Sequence, residues 1–521
     1  MTNQVKIYKI LGEKPSIYVE IIDTHNTVDL ELYLDSKLEE VACSKVSNYV
    51  FEVTKPGVYS VVAKYNETLQ LNSNSLSFLV ESFQPNSSLK PLREIRPIKL
   101  YLDEPEIDGI NKFHVEIKVK KNREKSIYKA LVDTVGLDFF QKKSLNLSSF
   151  RASHSIHSYV YYKTFSELSK EDAKYICRNI KGIEGVVYCS MVPVTDKLLP
   201  PKSNRLEQYK NNLDRASDTP DFSELQGYLD EPYGMNVRNA WSNCYSGELV
   251  AIRHLDFGIY KNHENLQSGN ITVINSRDET EDCNHGTAST GCIAAGNNGF
   301  GVTGIAHSSS FYFYDTEDKD KILENANPGD IVSLNVQFLT NGVYIPPIGI
   351  KSWWDTIHNI TEKGAVVIVS AGNSGVDLSD TSICPDFGDS GAIIVGACSS
   401  STGRKLSFSN FGHYSSLINS WGENVTTTGY GTLQDLPGHD RDYTNTFNGT
   451  SSATPLCSGA LALLQCYAKK QAVILTTENI KQLLNESNYI EGVNDLIGKR
   501  PNVKQLFTCI DKLILSTINQ D

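Results

Sequence analysis

The sequence predicts an α/β protein whose larger, C-terminal part is a mostly parallel sheet with helices on both faces. Strand-like and helix-like segments alternate from residue 221 onward, and such alternation is typical of parallel sheets covered on both faces. Two smaller β-containing domains precede this part, one in residues 1–84 and one in residues 110–195. With 521 residues the chain is long enough for about two to four domains.

Residues 1–84 predict a β-sandwich of the immunoglobulin-like type. The runs SIYVEIID, DLELYLD, NYVFEVT and GVYSVVAKY are rich in β-branched and aromatic residues, and turn-forming residues separate them. No residue here suggests chemistry, so two interpretations stay open: the sandwich recognises a protein partner, or it is a structural spacer. Residues 85–109 contain several prolines and predict a linker.

Residues 110–195 predict a ferredoxin-like α+β layer. FHVEIKVKK, SIHSYVYYKTF and VVYCSMVPV predict strands, and REKSIYKALVDTVG and SKEDAKYICRNIKGIEG predict helices. Three of the four strands of that layer are therefore visible in the sequence. Residues 196–220 are polar and proline-bearing and predict a second linker, which leaves residues 221–521 for the large domain.

Charge and hydropathy argue against two classes of partner. The net charge is −12 and is spread along the chain without a basic block, which argues against nucleic acid as the main partner. No run of about eighteen apolar residues occurs, so we expect no membrane span. The first twenty residues, MTNQVKIYKILGEKPSIYVE, do not have the pattern of a secretory signal, and eleven cysteines are scattered without CxxC pairs. We therefore expect a cytoplasmic protein with reduced thiols.

A buried helix is predicted to begin near residues 450–452 and to continue through an apolar run to Cys466. Pro455 must then lie in the first turn, because a proline further in lacks a needed N–H group. This arrangement puts the hydroxyl of Ser451 at a helix N-terminus, where free N–H groups suit a developing oxyanion. The alternative is that Thr450, Ser451 and Ser452 only cap the helix.

Two motifs upstream supply groups that could activate this serine. LVAIRHLDFGI predicts a strand that ends at Asp256, and CNHGTASTG predicts a helix that begins at His285. His254 and His263 lie near the aspartate and are rival bases, but neither is followed by the Gly-Thr pair that follows His285.

Four segments together resemble the subtilisin-like serine peptidases over roughly residues 221–515. They are LDFGI around Asp256, NHGTASTG around His285, VVIVSAGNSG around Asn373 and NGTSSATP around Ser451. The resemblance implies a catalytic triad in which Ser451 attacks a peptide carbonyl, His285 moves the proton and Asp256 stabilises the imidazolium. It also implies an oxyanion hole made by the side chain of Asn373 and the backbone N–H of Ser451.

The same resemblance implies a substrate-binding strand. Ser333, Leu334 and Asn335 match the edge that pairs with extended substrate, together with Ala371 and Gly372 on the strand of the oxyanion asparagine. The family often carries glycine where Asn335 stands, so its side chain is expected to narrow or polarise the entrance of the P1 pocket. Two acidic residues, Asp386 and Asp389, favour a basic P1 side chain or are solvated loop charges.

No cofactor is expected, and calcium is a weak candidate. The loop GNNGFGV resembles the calcium loop of secreted subtilisins, but an asparagine stands where that family supplies an aspartate, so one formal charge is missing. The candidate ligands are Asn265, Gly296, Asn298, Phe300 and Val302.

Three functions follow from these patterns. The first is a serine endopeptidase acting on protein or peptide substrates. The second is a transpeptidase or maturation protease that uses the same acyl-enzyme on a specific peptide. The third is a binding protein whose catalytic fold is held inactive. Because a domain like residues 110–195 acts as folding chaperone and inhibitor in this family, we expect a latent enzyme with the tail near Cys189–Val194 directed toward the cleft. Cys283, Cys292 and Cys457 are expected to be packed thiols rather than nucleophiles.

Overall fold

The computed structural model describes most of the three predicted regions. The described residues are 4–11, 16–22, 28–44, 48–53, 55, 57–64, 70–73, 76–78, 112–135, 140–147, 154–194, 219–267, 270–412, 417–486 and 496–518. The predicted linker at 85–109 lies outside them, as do residues 196–218 of the second linker.

Two sheets with a shared apolar core make up the N-terminal region. The four predicted strands are present as β2, β3, β5 and β6, and four further strands, β1, β4, β7 and β8, accompany them. The strands are β1 (Gln4–Leu11), β2 (Ser16–Ile22), β3 (Val28–Leu34), β4 (Lys37–Ser44), β5 (Asn48–Glu52), β6 (Gly57–Lys64), β7 (Gln70–Asn72) and β8 (Leu76–Phe78). One sheet contains β1, β2 and β5, and the other has the order β4-β3-β6-β7, with β8 also paired to β6. Alternate side chains such as Ile17 and Val19 enter the core between the sheets, as the period of two requires.

The second region is a four-stranded antiparallel sheet with two helices. Its elements are β9 (Phe113–Lys120), α1 (Glu124–Val135), β10 (Phe140–Lys142), β11 (Tyr159–Thr164), α2 (Lys170–Ile180) and β12 (Val186–Pro193), and the strand order is β10-β11-β9-β12. The strand that the sequence did not reveal is β10, which has three residues and buries only Phe140. The tail that we expect to be directed toward the cleft is part of this sheet: Pro193 pairs with Phe113, and Val194 N donates to Lys112 O.

A seven-stranded sheet organises residues 219–518. Its order is β14-β15-β13-β16-β19-β20-β21, and every neighbouring pair is parallel. The strands of this sheet are β13 (Ala251–Asp256), β14 (Ile271–Val273), β15 (Ser310–Asp315), β16 (Ile331–Leu334), β19 (Val366–Ser370), β20 (Ile393–Cys398) and β21 (Leu417–Trp421). The other strands of this region are β17 (Phe338–Thr340), β18 (Val343–Ile345), β22 (Val425–Thr428), β23 (Tyr443–Phe447) and β24 (Val473–Leu475). The helices are α3 (Val237–Ser242), α4 (Asn284–Ala294), α5 (Lys319–Asn325), α6 (Lys351–Glu362), α7 (Thr450–Lys470), α8 (Thr477–Glu486) and α9 (Val503–Ile518).

The chain changes direction across this sheet at β13, which has β15 on one side and β16 on the other. Side chains at the carboxyl ends of strands meet at such a switch point, and ligands bind there in open α/β sheets. The predicted α/β class with a parallel sheet is confirmed. No helix among the described ranges has the length and apolar character needed to cross a bilayer.

The first N-terminal sheet continues into the large domain. β24 pairs in parallel with β1, with Lys9 opposite Val473, and Lys9 N donates to Ala472 O at 2.9 Å. Ile474 of β24 is fully buried against Tyr8 of β1. The N-terminal region is therefore joined to the large domain through backbone hydrogen bonds. The sequence gives no signal for this contact, because β24 has only three residues.

The face of the β9–β12 sheet away from its helices packs on α6. Lys118 Nζ lies 2.6 Å from Asp355 Oδ1, and the two side chains are 9% and 7% exposed. Tyr161 donates its hydroxyl to Asp355 Oδ2 at 3.1 Å, and Ser352 N donates to Ser190 Oγ at 3.3 Å. A lysine and a carboxylate buried at this depth depend on one another for compensation of their charge.

A second buried cluster joins the same sheet to α5. Glu116 accepts from Lys319 at 3.1 Å and from Lys143 at 3.3 Å, and Lys143 also pairs with Asp320. Burial alone would lower the pKa of Lys143, but Asp320 and Glu116 outweigh it and raise that pKa well above its usual range. The contact between the β9–β12 sheet and the large domain thus contains buried ion pairs in which lysines and carboxylates lie next to each other.

We predict that Asp355→Ala destabilises the full-length protein by about 3–5 kcal/mol, because it leaves the Lys118 ammonium buried without a partner. Urea unfolding checks this. The double variant Lys118→Met with Asp355→Leu should recover most of the loss, since it removes both charges. Glu167→Ala is the control, because its pair with Lys112 is more exposed, at 35% and 56%, and such pairs contribute about 1 kcal/mol or less. Equal losses for Asp355→Ala and Glu167→Ala would contradict the prediction.

Candidate active site

Asp256 is the last residue of β13 and is fully buried. Its Oδ1 accepts from His285 Nδ1 at 2.5 Å and from Phe257 N at 2.6 Å. Its Oδ2 accepts from His254 Nε2 at 3.1 Å and from Asn335 Nδ2 at 3.0 Å. Burial raises the pKa of Asp256, but the charge of His285 and the hydrogen bonds from both histidines outweigh it and hold that pKa well below its usual range. The carboxylate is therefore ionised and oriented at neutral pH.

His285 is the second residue of α4 and is 1% exposed. Its ring meets the rings of Phe257 and Phe447 edge-on, with centroids 5.2 and 5.7 Å away. The chain approaches β13 so closely here that a Cβ on Gly286 would lie 2.0 Å from the carbonyl oxygen of Gly258. The described residues offer no hydrogen-bond partner to His285 Nε2. That nitrogen is the one that must receive a proton if this histidine is a general base.

Ser451 is the second residue of α7, which begins where the sequence predicts. Gly449 precedes the helix at φ 90, a left-handed conformation that favours glycine. Pro455 is the sixth helical residue, not part of the first turn as expected, and it has no N–H group to donate to the carbonyl of Ser451 four residues earlier. Asn335 Nδ2 donates to that carbonyl instead, at 3.0 Å.

Asn335 links the three elements that carry the triad. Its amide nitrogen contacts Asp256 Oδ2 and Ser451 O, as described, and also Ser289 Oγ at 2.9 Å. Ser289 lies on α4 and donates its hydroxyl to His285 O at 3.0 Å. Because all these partners accept, the orientation of the amide is fixed. We expected this side chain at the entrance of the P1 pocket, but it is 2% exposed and points into the triad.

The predicted substrate edge is also occupied. Ser333 and Leu334 belong to β16, which pairs with β13 on one side and with β19 on the other, so neither edge is free for an incoming strand. Ser333 Oγ lies 3.0 Å from His254 Nδ1 and supports that histidine rather than substrate. The first residues beyond this pairing are Val336 and Gln337.

His254 is a partner of the triad aspartate and not a rival of His285. The period of two in β13 places His254 and Asp256 on the same face, which was the available sequence signal. Since a carboxylate only accepts, Nε2 of His254 carries the proton, and Nδ1 accepts from Ser333. The other rival, His263, is buried and bonds the carbonyl of Asp442 at 2.8 Å.

Asn373 lies after β19, beside the start of α7. Its Oδ1 accepts from Thr450 N at 2.9 Å and from Thr450 Oγ1 at 3.0 Å. Its Nδ2 donates to Gln337 Oε1 at 3.2 Å. The amide of Asn373 is thus held at both ends, with a second N–H on Nδ2 left for an oxyanion. Gln337 was not singled out in the sequence.

Asn410 engages the two residues before Asn373. Its Nδ2 donates to Ala371 O at 2.8 Å, and its backbone N donates to Gly372 O at 3.0 Å. Gly372 has φ +99, and an added Cβ would lie 2.6 Å from Asn410 Nδ2. Each of these two carbonyls accepts one hydrogen bond from Asn410, and the predicted role of Ala371 and Gly372 in binding substrate stays a prediction.

The remaining candidates have structural partners. Asp386 and Asp389 each accept from a backbone N–H two residues on, and Asp389 also lies 3.4 Å from Lys481 Nζ. The two cysteines near the site that flank His285, Cys283 and Cys292, have pKa values that burial raises to about 12. Burial also raises the pKa of Cys457 well above its usual value. Such thiols are not nucleophiles at neutral pH.

The residues of the predicted calcium loop do not fit a calcium ion. Asn265 Nδ2 donates to Gly296 O at 3.1 Å, and Asn265 Oδ1 accepts from Val302 N at 2.7 Å. The orientation of this amide is fixed, because the backbone N–H of Val302 needs an acceptor. A hydrogen-bond donor therefore faces the carbonyl that would have to bind the cation. Among the described residues there is also no group of three or more His, Cys, Asp or Glu suited to a metal.

We predict that EGTA and millimolar calcium leave the melting temperature of the wild-type protein unchanged. Asn265→Asp should lower stability by about 1–3 kcal/mol without calcium, because a carboxylate oxygen would face the carbonyl of Gly296. Calcium should restore part of that loss in the variant alone. Differential scanning calorimetry measures both effects. A wild-type melting temperature that falls with EGTA and recovers with calcium would contradict this account.

Comparison with known proteins shows the family to which the chain belongs. A model of the subtilase family matches residues 108–506, and the chain belongs to that family. Subtilisin NAT of Bacillus subtilis subsp. natto is 30% identical over 249 residues, which are 45% of this chain and 60% of the relative. Subtilisin of Bacillus pumilus is also 30% identical over 249 residues, and here 84% of the relative is covered. The chain spans about 60% of the length of the first curated relatives that it matches.

A solved structure shows the same fold over a longer stretch. The epidermin leader peptide processing serine protease (EpiP) from Staphylococcus aureus superposes with a TM-score of 0.50 at 16% identity. The superposition covers 77% of this chain and 99% of that one. At this identity the likeness concerns the fold alone.

Proposed function

We propose that the chain is a serine endopeptidase that hydrolyses peptide bonds through Ser451, His285 and Asp256. The observation that carries this proposal is the contact of 2.5 Å between His285 Nδ1 and the ionised, fully buried Asp256. It leaves Nε2 of His285 as the nitrogen that takes up a proton, and it occurs in a family whose members carry the same motifs.

The proposed reaction proceeds through an acyl-enzyme. Ser451 Oγ attacks the peptide carbonyl while His285 Nε2 takes its proton, and the protonated ring then gives that proton to the leaving amine. Asp256 stabilises the imidazolium through Nδ1–H. Water enters, His285 takes its proton, and the ester to Ser451 is hydrolysed. The oxyanion receives hydrogen bonds from Asn373 Nδ2 and from the backbone N–H of Ser451 at the start of α7.

Protein or peptide substrates fit this site as extended chains. β16 pairs on both sides as far as Leu334, so we propose that substrate pairs beyond this residue rather than at Ser333 and Leu334. A transpeptidase or maturation protease would use the same residues with an amine in place of water. No contact of the described residues favours that alternative.

We predict that Ser451→Ala abolishes peptide hydrolysis and reaction with a fluorophosphonate while the fold is kept. Ser452→Ala is the matched control, because that hydroxyl donates to Trp421 O and Gly449 O, 3.0 Å away in each case, and takes no part in the reaction. Turnover and intact mass after labelling are the measurements. Asn373→Ala should lower kcat by about 100- to 1,000-fold with little effect on KM. A wild-type protein that never reacts with fluorophosphonate would leave the third interpretation, an inactive binding protein.

We also propose that residues 110–195 are a ferredoxin-like inhibitory domain and that the chain is latent. Strand order β10-β11-β9-β12 is that of a ferredoxin-like layer, and the sheet covers α5 and α6 through the buried charges of Lys118 and Glu116. β12, which contains most of the tail near Cys189–Val194, ends at Pro193 within the sheet.

For residues 1–84 we propose an immunoglobulin-like sandwich that belongs to the scaffold. The support is the backbone pairing of β1 with β24 and the burial of Ile474 between the two regions. A sandwich held in this way still leaves β4 at a sheet edge, where a protein partner could pair.

Latency predicts that a cut in the second linker activates the full-length protein. A glutamyl-specific protease has one site between residues 196 and 220, after Glu207. Turnover of a fluorogenic peptide should rise as this bond is cut, and Asp355→Ala should raise the activity of uncut protein because it loosens the docked sheet. The blank is the same digestion of Ser451→Ala. If uncut and cut proteins are equally active, the domain is a permanent scaffold and the latency proposal is wrong.

A further inference from the structure

Gln337 is a buried side chain beside the oxyanion asparagine, and the reaction as described gives it no task. It follows Asn335 by two residues, and while the amide of Asn335 contacts Asp256, the amide of Gln337 contacts Asn373. Val336 between them is 1% exposed, and its carbonyl accepts from Ser370 Oγ at 2.8 Å. Gln337 itself is 7% exposed. Gln337 lies in the segment between β16 and β17, and its burial and its contact with Asn373 hold its side chain in place.

The two ends of the Gln337 amide are in different situations. Oε1 accepts from Asn373 Nδ2 at 3.2 Å. Nε2 is buried and has no hydrogen-bond partner among the residues that the structure describes. Rotating the amide by half a turn would not help, because Nε2 would then face Nδ2 of Asn373, donor against donor. A buried donor of this kind lacks the partner that such groups ordinarily have.

We propose that Gln337 is the residue that determines P1 specificity, and that it selects asparagine and glutamine side chains. The inference rests on the proposed function. The second N–H of Asn373 serves the carbonyl oxygen of the residue under attack, which is P1 by definition. A group bonded directly to Asn373 therefore lies beside that residue, where Nε2 donates to a side-chain carbonyl oxygen. At the same time Oε1 holds the amide of Asn373 in place, so Gln337 is also a positioning residue for the oxyanion donor.

Charge explains why an amide is preferred to a carboxylate. The described hydrogen-bond partners of Gln337 and Asn373 are neutral: they are each other and the backbone and hydroxyl of Thr450. A carboxylate at P1 would lose its hydration without a cation to compensate it. An apolar side chain of equal size would leave Nε2 unpaired. Glutamine and methionine have nearly the same length, so the pair isolates the hydrogen bond from shape.

The test uses the full chain with its linker cut after Glu207 and three fluorogenic peptides that differ only at P1, as Gln, Met or Lys. For the wild type we expect kcat/KM to be about tenfold higher for Gln than for Met, as one neutral hydrogen bond provides. Gln337→Glu keeps an acceptor for Asn373 but has no donor. The kcat/KM of the Gln peptide should therefore no longer exceed that of the Met peptide, and the kcat/KM of the Lys peptide should exceed that of the Met peptide. Gln337→Met removes both groups, so the preference should disappear and kcat should also fall, because Asn373 is no longer held.

Gln141→Glu is the control for the change in charge, because Gln141 is an exposed residue of β10, and its ratios should equal those of the wild type. Equal values for Gln and Met in the wild type, or an advantage of Gln that survives in Gln337→Glu, would overturn the proposal. Reaction with a fluorophosphonate distinguishes failure of the specificity proposal from failure of the proposed function. If cut wild-type protein reacts with it but shows no Gln preference, only the specificity assignment fails. If it does not react at all, the proposed function fails first. Should Gln337→Met not fold, wild type against Gln337→Glu decides alone.

Discussion

The burial of one carboxylate charge, that of Asp256, is the constraint on which the rest of the site depends. A fully buried and unpaired carboxylate would take up a proton and lose its role. Here four hydrogen-bond donors keep the carboxylate ionised. His254 lies on the same strand as Asp256, and Phe257 N belongs to the next residue. His285 lies on α4, and Asn335 follows the end of β16. The position of each of these elements is thereby tied to one side chain.

Asn335 extends this constraint to the nucleophile. Pro455 leaves the carbonyl of Ser451 without its helical partner, and the amide of Asn335 replaces the missing hydrogen bond. One side chain therefore contacts the triad acid, the helix of the base through Ser289 and the residue of the nucleophile. A proline inside a buried helix would ordinarily be costly. In this protein it frees an acceptor that fixes Ser451 relative to Asp256.

Four of the proposed site residues have local signals in the sequence. Asp256, His285, Asn373 and Ser451 each stand at the end or the start of an element, within short motifs that carry the family resemblance. The resemblance also implied Asn335 as a site residue, but with the wrong task. Its direction depends on the register between β13 and β16, two strands about eighty residues apart in the chain, and no local pattern encodes that register. Gln337 lies beyond the paired residues, and no local pattern marks its contact with Asn373.

Other features were missed because their signals are weak or non-local. The pairing of β16 on both sides, which leaves Ser333 and Leu334 without a free edge, is a property of the whole sheet and has no local signal. The three-residue strands β10 and β24 bury too few side chains to show a period. The loss of a charge at Asn265 was visible in the sequence, whereas the way in which its amide closes the loop was not.

The most direct test of this account is the protonation of the two histidines that contact Asp256, measured by nitrogen-15 NMR on the full-length protein. The account predicts that His254 carries its proton on Nε2 and His285 on Nδ1, with the Nδ1 proton of His285 shifted far downfield by its short contact with the carboxylate. His254→Gln and His285→Gln assign the signals, because each removes one of the eleven histidines. A proton on Nδ1 of His254, or a His285 that exchanges its Nδ1 proton freely with solvent, would contradict a site built around the buried charge of Asp256.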